Sequence, residues 1–267
     1  HCGVCRGWPS QNVRYEKQLS DKEKMVEDEF KRIAKHEAGE FIPIKPSEKT
    51  KYFRNKLEFT FSKEAWLTKE EMDSGKTQEN VLGFHAPGRF DKIVNIERCF
   101  LQKNVQNDIR NWIKSYADDN NISYYDIRRN KGVLRNLICR TSTIGELMVI
   151  LSIATGEQVI IIPIMEAIKK AFPEITSLNY VINEKKNDSI HDLKVLNYSG
   201  EDFIEEEIGG MRFKVRPKSF FQTNTYQAQR LYELVKDFAN LDKQDIVFDL
   251  YTGTGTIANF LAPFVKK

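Results

Sequence analysis

The chain has 267 residues, of which 40% are apolar and 30% are charged. This balance is typical of a globular protein with a buried core and excludes a disordered chain, while the longest apolar run, residues 159–165, is far too short to span a bilayer. The net charge of +3 and the isoelectric point near 8.5 permit a nucleic-acid partner without requiring one.

The four cysteines are Cys2, Cys5, Cys99 and Cys139, and the first two form a Cys-x-x-Cys pair. Disulfide frameworks belong mainly to small secreted domains, and no N-terminal stretch of this chain reads as a signal peptide. We therefore expect a cytoplasmic protein with reduced thiols. In that setting the Cys-x-x-Cys pair indicates a metal site or a redox site.

The first part of the chain mixes helical and strand patterns. Ser20 and Glu23 have the spacing of a capping box and predict a helix that Gly39 ends. Apolar and polar residues alternate over 57–62, which predicts a strand with one buried face. Residues 68–80 are polar throughout and predict an exposed insertion.

Further along, the apolar spacing predicts more elements of both kinds. Helices are expected around residues 109–116 and between Pro163 and Phe172, and strands over 133–140, 147–153, 178–183, 203–207 and 213–216. Strands and helices do not alternate strictly. This favours an α+β domain with a mainly antiparallel sheet.

The last segment has a different pattern. A helix capped near Asn224 precedes an apolar strand, Ile246–Leu250, a glycine turn and the start of another helix. Such an order opens a doubly wound, Rossmann-like (class I) α/β domain. We therefore divide the chain into a cysteine segment with its helix (1–48), a central α+β domain (49–210) and the incomplete start of this α/β domain (211–267).

The glycine turn carries the first candidate site. Asp249 ends the apolar strand, and Gly253 and Gly255 follow in the tight turn. Glycine allows a positive φ and lets the backbone approach a ligand closely. Ala258 stands where the dinucleotide fingerprint has its third glycine, so the turn matches only the looser form of that motif. The pattern favours a nucleotide-type cofactor over a simple strand-to-helix loop.

Four segments, in chain order, resemble the RNA uracil-5-methyltransferases that act on 23S ribosomal RNA or on the tRNA T-loop. The segments are 53–59 (Phe-Arg-Asn-Lys-Leu-Glu-Phe), 132–137 (Gly-Val-Leu-Arg-Asn-Leu), 219–224 (Ser-Phe-Phe-Gln-Thr-Asn) and 249–255 (Asp-Leu-Tyr-Thr-Gly-Thr-Gly). They correspond to the family's Tyr-Arg-Asn-Lys strand, Gly-x-Leu-Arg hairpin, Phe-Phe-Gln-x-Asn segment and methyl-donor loop. Each motif alone is modest, but four in order are specific.

The resemblance implies a set of site residues. The S-adenosylmethionine site would comprise Gln222, Asp249, Tyr251, Gly253, Gly255 and Thr256. An aromatic position of the family that faces RNA matches Phe220. Cys2, Cys5 and Cys99 resemble ligands of the family's [4Fe-4S] cluster, and a zinc site made by these cysteines and one histidine is the alternative.

Basic residues extend the predicted RNA-binding surface. Arg212, Lys214, Arg216 and Lys218 recur every second residue, so an extended strand puts all four on one face that leads to Phe220. Two further basic clusters are 128–135 and 49–56. The residues predicted to bind RNA, besides Phe220, are Arg54, Lys56, Arg135, Arg216 and Lys218. The acidic residues within 201–207 are interpreted as solvated surface.

Methylation at C5 of uracil requires covalent activation, in which a cysteine thiolate adds to C6 of a base that has left its stack. The resemblance implies that the nucleophilic cysteine and the base follow the methyl-donor loop, beyond this chain, and that Cys139 is a structural thiol. We expect a monomeric enzyme that acts on RNA, with ribosomal RNA favoured over tRNA. The alternatives are a non-catalytic RNA-binding module and an iron–sulfur or nucleotide-dependent oxidoreductase.

Overall fold

The computed structural model describes residues 4–5, 7–35 and 39–267. Its strands are β1 (Lys56–Ser62), β2 (Val81–His85), β3 (Ile93–Asn95), β4 (Leu134–Thr141), β5 (Leu147–Ile153), β6 (Ser177–Ile182), β7 (Val195–Gly200), β8 (Ile204–Ile208) and β9 (Met211–Val215). The first seven form one sheet in the order β3-β2-β1-β4-β5-β6-β7, and only the β5–β6 pair is parallel. β8 and β9 form a separate hairpin.

The helices are α1 (Tyr15–Glu29), α2 (Lys69–Asp73), α3 (Asn104–Asp119), α4 (Gln158–Ala171), α5 (Thr225–Ala239) and α6 (Thr256–Leu261). A π-helical turn, Phe30–Ala34, extends α1, and a 3₁₀ turn, Ala262–Phe264, follows α6. The prediction of helices combined with a mainly antiparallel sheet is confirmed. Among the described residues, each helix is too short or too polar to cross a bilayer.

One face of the sheet is covered by α3 and α4. Phe59 and Phe61 of β1 join Ile109 and Ile113 of α3 and Ile164 of α4 in a single buried cluster. The period-2 pattern of β1 sends these aromatic rings to one side and its polar residues to the other. Burial of each such side chain contributes about 1.5 to 3 kcal/mol.

The opposite face has a second, narrower covering layer. Ile138 of β4 and Ile150 of β5 pack against Val215 of β9, Phe221 and Tyr232 of α5. This layer lies over β4–β6. The same face of β1 and β2 carries polar side chains and borders an open cleft, so the width of the second layer decides where a ligand can approach the sheet.

The N-terminal helix begins earlier than predicted. Ser20 lies inside α1, because the side chain of Gln18 bonds back to the carbonyls of Ser10 and Val13 and orders the preceding turn. Near its middle, Glu23 accepts a hydrogen bond from the amide of Ile44. These contacts dock α1 on the connection that precedes β1.

The expected apolar strand at 246–250 does not form. Only two backbone hydrogen bonds hold this stretch, from Val247 to the carbonyl of Lys267 and from Lys266 to the carbonyl of Asp245. Phe248 and Leu250 are exposed. A strand exists only when a partner strand completes its hydrogen bonds, and no described strand lies beside this segment.

Three strands, β2, β3 and β7, were not predicted. β2 contains Gly83, at which an added Cβ would lie 1.9 Å from the carbonyl oxygen of Val94 on β3. Glycine is therefore needed for this close approach, although it usually weakens a strand signal. The predicted domain boundary at residue 210 falls in the turn between β8 and β9, which pair along their full length. The division into domains stays a prediction.

Candidate functional site

A cleft of about 590 Å³ opens on the polar face of β1. Four of the residues predicted to bind RNA line it together: Arg54, Lys56, Lys218 and Phe220. Lys56 begins β1 and Arg54 lies just before it, whereas Lys218 and Phe220 lie in the segment between β9 and α5. The fold therefore brings two of the sequence motifs to one concavity.

The cleft holds positive charge that is partly removed from water. Burial lowers the pKa of Lys56, and the neighbouring Arg140 lowers it further. Burial also lowers the pKa of Arg140, to about 10. Glu58, on the same face of β1, has a pKa raised by burial. An anionic ligand would offset the repulsion between the buried cations of Lys56 and Arg140.

Arg140 was not among the predicted site residues. It is only 4% exposed, and its Nη2 donates to the carbonyl of Ser219 at 3.2 Å, while Nη1 has no hydrogen-bond partner among the described residues. Its alternation with Cys139 along β4 indicates that it faces away from the core of α3 and α4. That signal was available in the sequence, but the local absence of a covering layer was not.

Two histidines also line the cleft, although the sequence suggested only surface roles. His85 ends β2, and its Nδ1 is buried without a partner among the described residues. Its Nε2 lies 3.4 Å from the hydroxyl of Thr60. His191 lies on the opposite wall, near Lys218, whose ammonium donates to the carbonyls of His191 and Leu193 at 3.1 and 2.9 Å.

The two phenylalanines before Gln222 have opposite environments. Phe220 is 71% exposed at the cleft, whereas Phe221 is 4% exposed and packs in the core beneath. Arg140 holds the carbonyl of the preceding Ser219, and a backbone bond from Ser219 to Arg216 closes the turn. A rigid turn thus presents one aromatic ring to the cleft.

Arg135 was predicted to bind RNA, but it does not line the cleft. Its side chain is fully buried, and its guanidinium donates to the carbonyls of Asn183 and Asn187 at 2.9 and 3.0 Å and to Asp188 at 2.9 Å. It also lies over the ring of Tyr125, with 4.1 Å to the centroid. These contacts hold the loop after β6 to the sheet, and the one donor atom of Arg135 that lacks a partner among the described residues, Nε, is buried.

The predicted basic stripe is only partly on a strand, since Arg212 and Lys214 lie on β9 whereas Arg216 and Lys218 follow its end, and acidic residues offset part of its charge. Arg212 pairs with Glu205 and Glu207 across the β8–β9 hairpin at 3.3 and 3.7 Å, and Arg216 pairs with Asp202 at 3.3 Å. The acidic group was interpreted as plain solvated surface. The hairpin register instead puts Glu205 opposite Lys214 and Glu207 opposite Arg212. Of the stripe residues, Lys218 lines the cleft.

Asn55 joins two distant motifs. Its amide N–H donates to the carbonyl of Thr223 and its Nδ2 donates to the carbonyl of Gln222, both at 2.8 Å. Nδ2 also lies 3.0 Å from the hydroxyl of Thr225, which in turn donates to the buried Glu206 at 2.9 Å. These bonds lock the segment that carries Gln222 onto the start of β1 and leave the Gln222 side chain exposed.

The glycine turn has the backbone that the sequence indicated. Tyr251, Gly253 and Gly255 have φ values of 61°, 56° and 73°. Oδ2 of Asp249 accepts hydrogen bonds from the hydroxyl of Thr252 at 2.9 Å and from the amide of Ala258 at 3.2 Å. This carboxylate therefore shapes the turn from within. Tyr251 is fully exposed, so the outer surface of the turn is open to a ligand.

Helix α5 connects the two parts of the predicted cofactor site. It begins three residues after Gln222, with Asn224 as its N-cap, and its Tyr232 shares a 2.9 Å hydrogen bond with the hydroxyl of Thr256. No hydrogen bond among the described residues joins Gln222 directly to the turn. Of the predicted cofactor residues, Gln222 therefore precedes the start of α5, and Thr256 of the turn contacts the middle of the same helix.

The predicted metal ligands fall partly outside the described residues, since Cys2 is not among them. Cys99 is buried, with a pKa raised mainly by burial, and Cys5 packs against the same core cluster. No group of three or more potential metal ligands forms within the described part of the chain. These residues alone do not fit a four-thiolate cluster, so no function is derived from one.

No family model matches the chain. An uncharacterized RNA methyltransferase of Bacteroides thetaiotaomicron is 49% identical to it over 267 residues, which cover 98% of this chain and 59% of that protein. A protein of the same description from Porphyromonas gingivalis is 45% identical and covers 98% of this chain, over 58% of its own length.

Similarity extends to a solved structure, the tRNA (uracil-54, C5)-methyltransferase of Pyrococcus abyssi in complex with S-adenosyl-L-homocysteine. The TM-score is 0.71 at 26% sequence identity, over 97% of this chain and 56% of that chain. This chain therefore spans between 56% and 59% of the length of these three proteins.

Proposed function

We propose that this chain, which is similar over its length to RNA methyltransferases and to a tRNA (uracil-54, C5)-methyltransferase, belongs to the RNA uracil-5-methyltransferase family, and that the full-length protein transfers a methyl group from S-adenosylmethionine to C5 of a uracil in RNA. The observation that carries the proposal is the cleft on β1, where Arg54, Lys56, Lys218 and exposed Phe220 converge. Cations that track a phosphate backbone beside an aromatic ring that can stack on a base are the usual means of holding single-stranded RNA.

RNA would enter over the polar face of β1. Lys56 and Arg140 would pair with phosphate oxygens, and Phe220 would stack on a base at the rim. Arg54, Lys56, Arg140 and Lys218 form no ion pair within 4.0 Å with a carboxylate of the described residues, although Glu58 also lines the cleft, while Arg212 and Arg216 pair with Glu205 and Asp202. Binding should therefore weaken steeply with salt.

The methyl donor would lie against the glycine turn. S-adenosylmethionine would supply an electrophilic methyl group, and the backbone of residues 251–255 would hold it. The three positive φ values of the turn and its internal carboxylate, Asp249, support this role, because they fix an open loop surface that a ligand can approach closely. The complex of the Pyrococcus abyssi enzyme with S-adenosyl-L-homocysteine supports the same donor.

Asn55 would fix the position of the RNA site relative to the methyl-donor site. It ties the segment of Phe220 and Gln222 to β1, and α5 continues from that segment to Thr256 at the turn. The RNA-facing ring and the donor-facing amide therefore sit two residues apart on one rigid stretch. Such a support can hold a base and a donor in reacting geometry.

The chemistry at C5 would run through a cysteine adduct at C6, after which C5 takes the methyl group, a base takes the C5 proton and the thiolate leaves. Cys139 is unsuited to this role, since it is fully buried and burial raises its pKa to about 12. Cys99 is unsuited for the same reason. Both thiols are structural in this proposal, which also includes the cytoplasmic location and monomeric state expected from the sequence.

The test is methyl transfer by the full-length protein from S-adenosylmethionine labelled in its methyl group. Unmodified ribosomal RNA and unmodified tRNA are offered separately, and the product is digested and the labelled nucleoside identified. Label in 5-methyluridine supports the proposal, and the RNA that carries it decides between ribosomal RNA, favoured by the sequence, and tRNA. RNA binding without label in any nucleoside would instead favour the non-catalytic RNA-binding module.

A further inference from the structure

A second cavity, of about 480 Å³, lies beside the cleft and has no part in the function described so far. Its walls are the segment 7–10, helix α1, the connection 44–54 and the N-terminus of α5. Chain segments that are far apart in sequence therefore enclose it. We call it the α1 pocket.

All the charged residues that line the α1 pocket are basic. Its charged lining residues are Lys22, Lys45, Lys49 and Arg54, and no carboxylate lines it. None of these four forms an ion pair with a carboxylate of the described residues, and the ammonium of Lys49 lies 3.5 Å from the centroid of the Tyr226 ring. Four cations around one cavity repel one another unless an anion is present.

The pocket also contains aromatic surface. Trp8 and Phe53 line it and contact each other edge to face, with ring centroids 6.3 Å apart. Both are half-buried, so each keeps part of its ring toward the cavity. Cations combined with aromatic rings suit a nucleotide, because the cations can bind its phosphate and a ring can stack on its base.

The α1 pocket is continuous with the cleft. Gly7 and Arg54 line both cavities, and the guanidinium of Arg54 is held at the boundary by a 3.1 Å hydrogen bond from its Nε to the carbonyl of Lys56. A strand that crosses the cleft along β1 would meet Arg54 and then enter the pocket. Glycine at position 7 lets this segment pack closely on β2, since a Cβ there would lie 2.8 Å from the ring of Phe84.

We propose that the α1 pocket is a second nucleotide subsite, which takes an unpaired nucleotide that flanks the target uridine in single-stranded RNA. Lys22, Lys45 and Lys49 bind its phosphate, and Trp8 stacks on its base. This inference rests on the proposed function and deepens it. The enzyme would then bind an extended single strand of RNA, because the target uridine by itself fills only the cleft.

The test compares binding of two oligouridylates, a trinucleotide and a nonanucleotide, by the full-length protein. The variant K22E/K45E reverses two charges of the pocket, and K169E/K170E, on the exposed last turn of α4, is the matched control with the same change in net charge. The subsite predicts that lengthening the RNA raises the affinity of wild type and control much more than that of K22E/K45E. The slope of log affinity against log salt should become shallower by about 0.7 for each phosphate that the variant no longer neutralises.

A second measurement reports on Trp8 itself. Tryptophan fluorescence of the wild-type protein should be quenched by the nonanucleotide, and W8F should lose that part of the quench while it keeps its fold. If K22E/K45E gains as much affinity from the longer RNA as the control, or if W8F is quenched as the wild type is, the subsite is refuted and the proposed function stands. If wild type binds neither RNA, the proposed function itself fails.

Discussion

The side-chain amide of Asn55 donates to the main-chain carbonyl of Gln222 at 2.8 Å, across 167 positions of sequence. The first residue immediately precedes β1, between the cleft residues Arg54 and Lys56, and the second lies one residue past the buried Phe221. Through this bond, two motifs that each looked modest in the sequence become one structural unit. The exposed ring of Phe220 and the exposed side chain of Gln222 are both positioned by it.

Asn55→Ala should weaken both the fold and the binding of S-adenosylmethionine. It leaves the buried carbonyl of Gln222 and the hydroxyl of Thr225 without a donor, which costs about 1 to 3 kcal/mol of unfolding free energy. Urea unfolding and calorimetric titration with the donor measure the two effects, and Asn104→Ala at the exposed start of α3 is the control. Unchanged donor affinity in Asn55→Ala would show that the bond serves stability alone.

Two buried arginines should respond in opposite ways to replacement by methionine. Arg135→Met leaves Asp188 and several carbonyls of the loop after β6 without their partner, so unfolding free energy should fall by about 3 to 5 kcal/mol. Arg140→Met removes one hydrogen bond but also a desolvated charge, so stability should change by less than about 1.5 kcal/mol while RNA affinity falls. Denaturant unfolding and RNA titration over a range of salt compare them. If both variants lost RNA affinity equally at matched stability, the assignment of Arg140 to the RNA site and of Arg135 to a structural role would be wrong.

Phe220 and Phe221 form a second matched pair. Phe220→Ala should lower RNA affinity by about 1 to 3 kcal/mol, the value of one stacked base, with the unfolding midpoint nearly unchanged. Phe221→Ala removes a core ring and should cost about 3 to 5 kcal/mol of stability. Anisotropy of labelled RNA and denaturant unfolding separate the two outcomes, and a Phe220→Ala protein with full RNA affinity would remove the ring from the site.

Gly253→Ala tests the turn. An added Cβ meets only the carbonyl oxygen of Tyr251, at 3.9 Å, so the effect comes from forcing alanine to a φ of 56° and costs about 1 to 2 kcal/mol. Gly75→Ala, in an exposed loop with a φ of 74° and open space around it, imposes the same strain away from the site. Only Gly253→Ala should lose affinity for S-adenosylmethionine in a calorimetric titration. Equal affinities in the two variants would exclude the turn from the donor site.

Cys139 should make stability fall in alkaline solution. Burial raises the pKa of its thiol from 9.0 to about 12, so the unfolded chain loses this proton first as the pH rises. The stabilisation is complete below pH 9 and is lost toward pH 12, at up to about 1.4 kcal/mol per unit. Urea unfolding of wild type and Cys139→Ala between these limits isolates the effect as a difference in slope. Parallel slopes would mean that the thiol is not desolvated.

The strand and helix predictions succeeded where the pattern of burial is local. The alternation of Phe59 and Phe61 with polar neighbours located β1, and the capped start at Asn224 located α5. They failed at β2, where Gly83 serves a contact with Val94 that belongs to the tertiary fold. The predicted strand 246–250 failed for a related reason, since apolar residues form a strand only when a neighbouring strand supplies hydrogen bonds.

The residue types of the candidate site were readable in the sequence, since Arg54, Lys56, Lys218 and Phe220 carry their chemistry in any fold. Their convergence was not, and neither was the opposite fate of Arg135, which the loop after β6 surrounds with carbonyls. A sequence pattern reports which face of a strand each side chain takes, because alternation is a local property of the backbone. Whether that face is covered depends on how far a second layer of distant residues extends. Only the packed structure decides that Arg140, although buried, borders the cleft with an unpartnered Nη1, whereas the loop after β6 surrounds the guanidinium of Arg135.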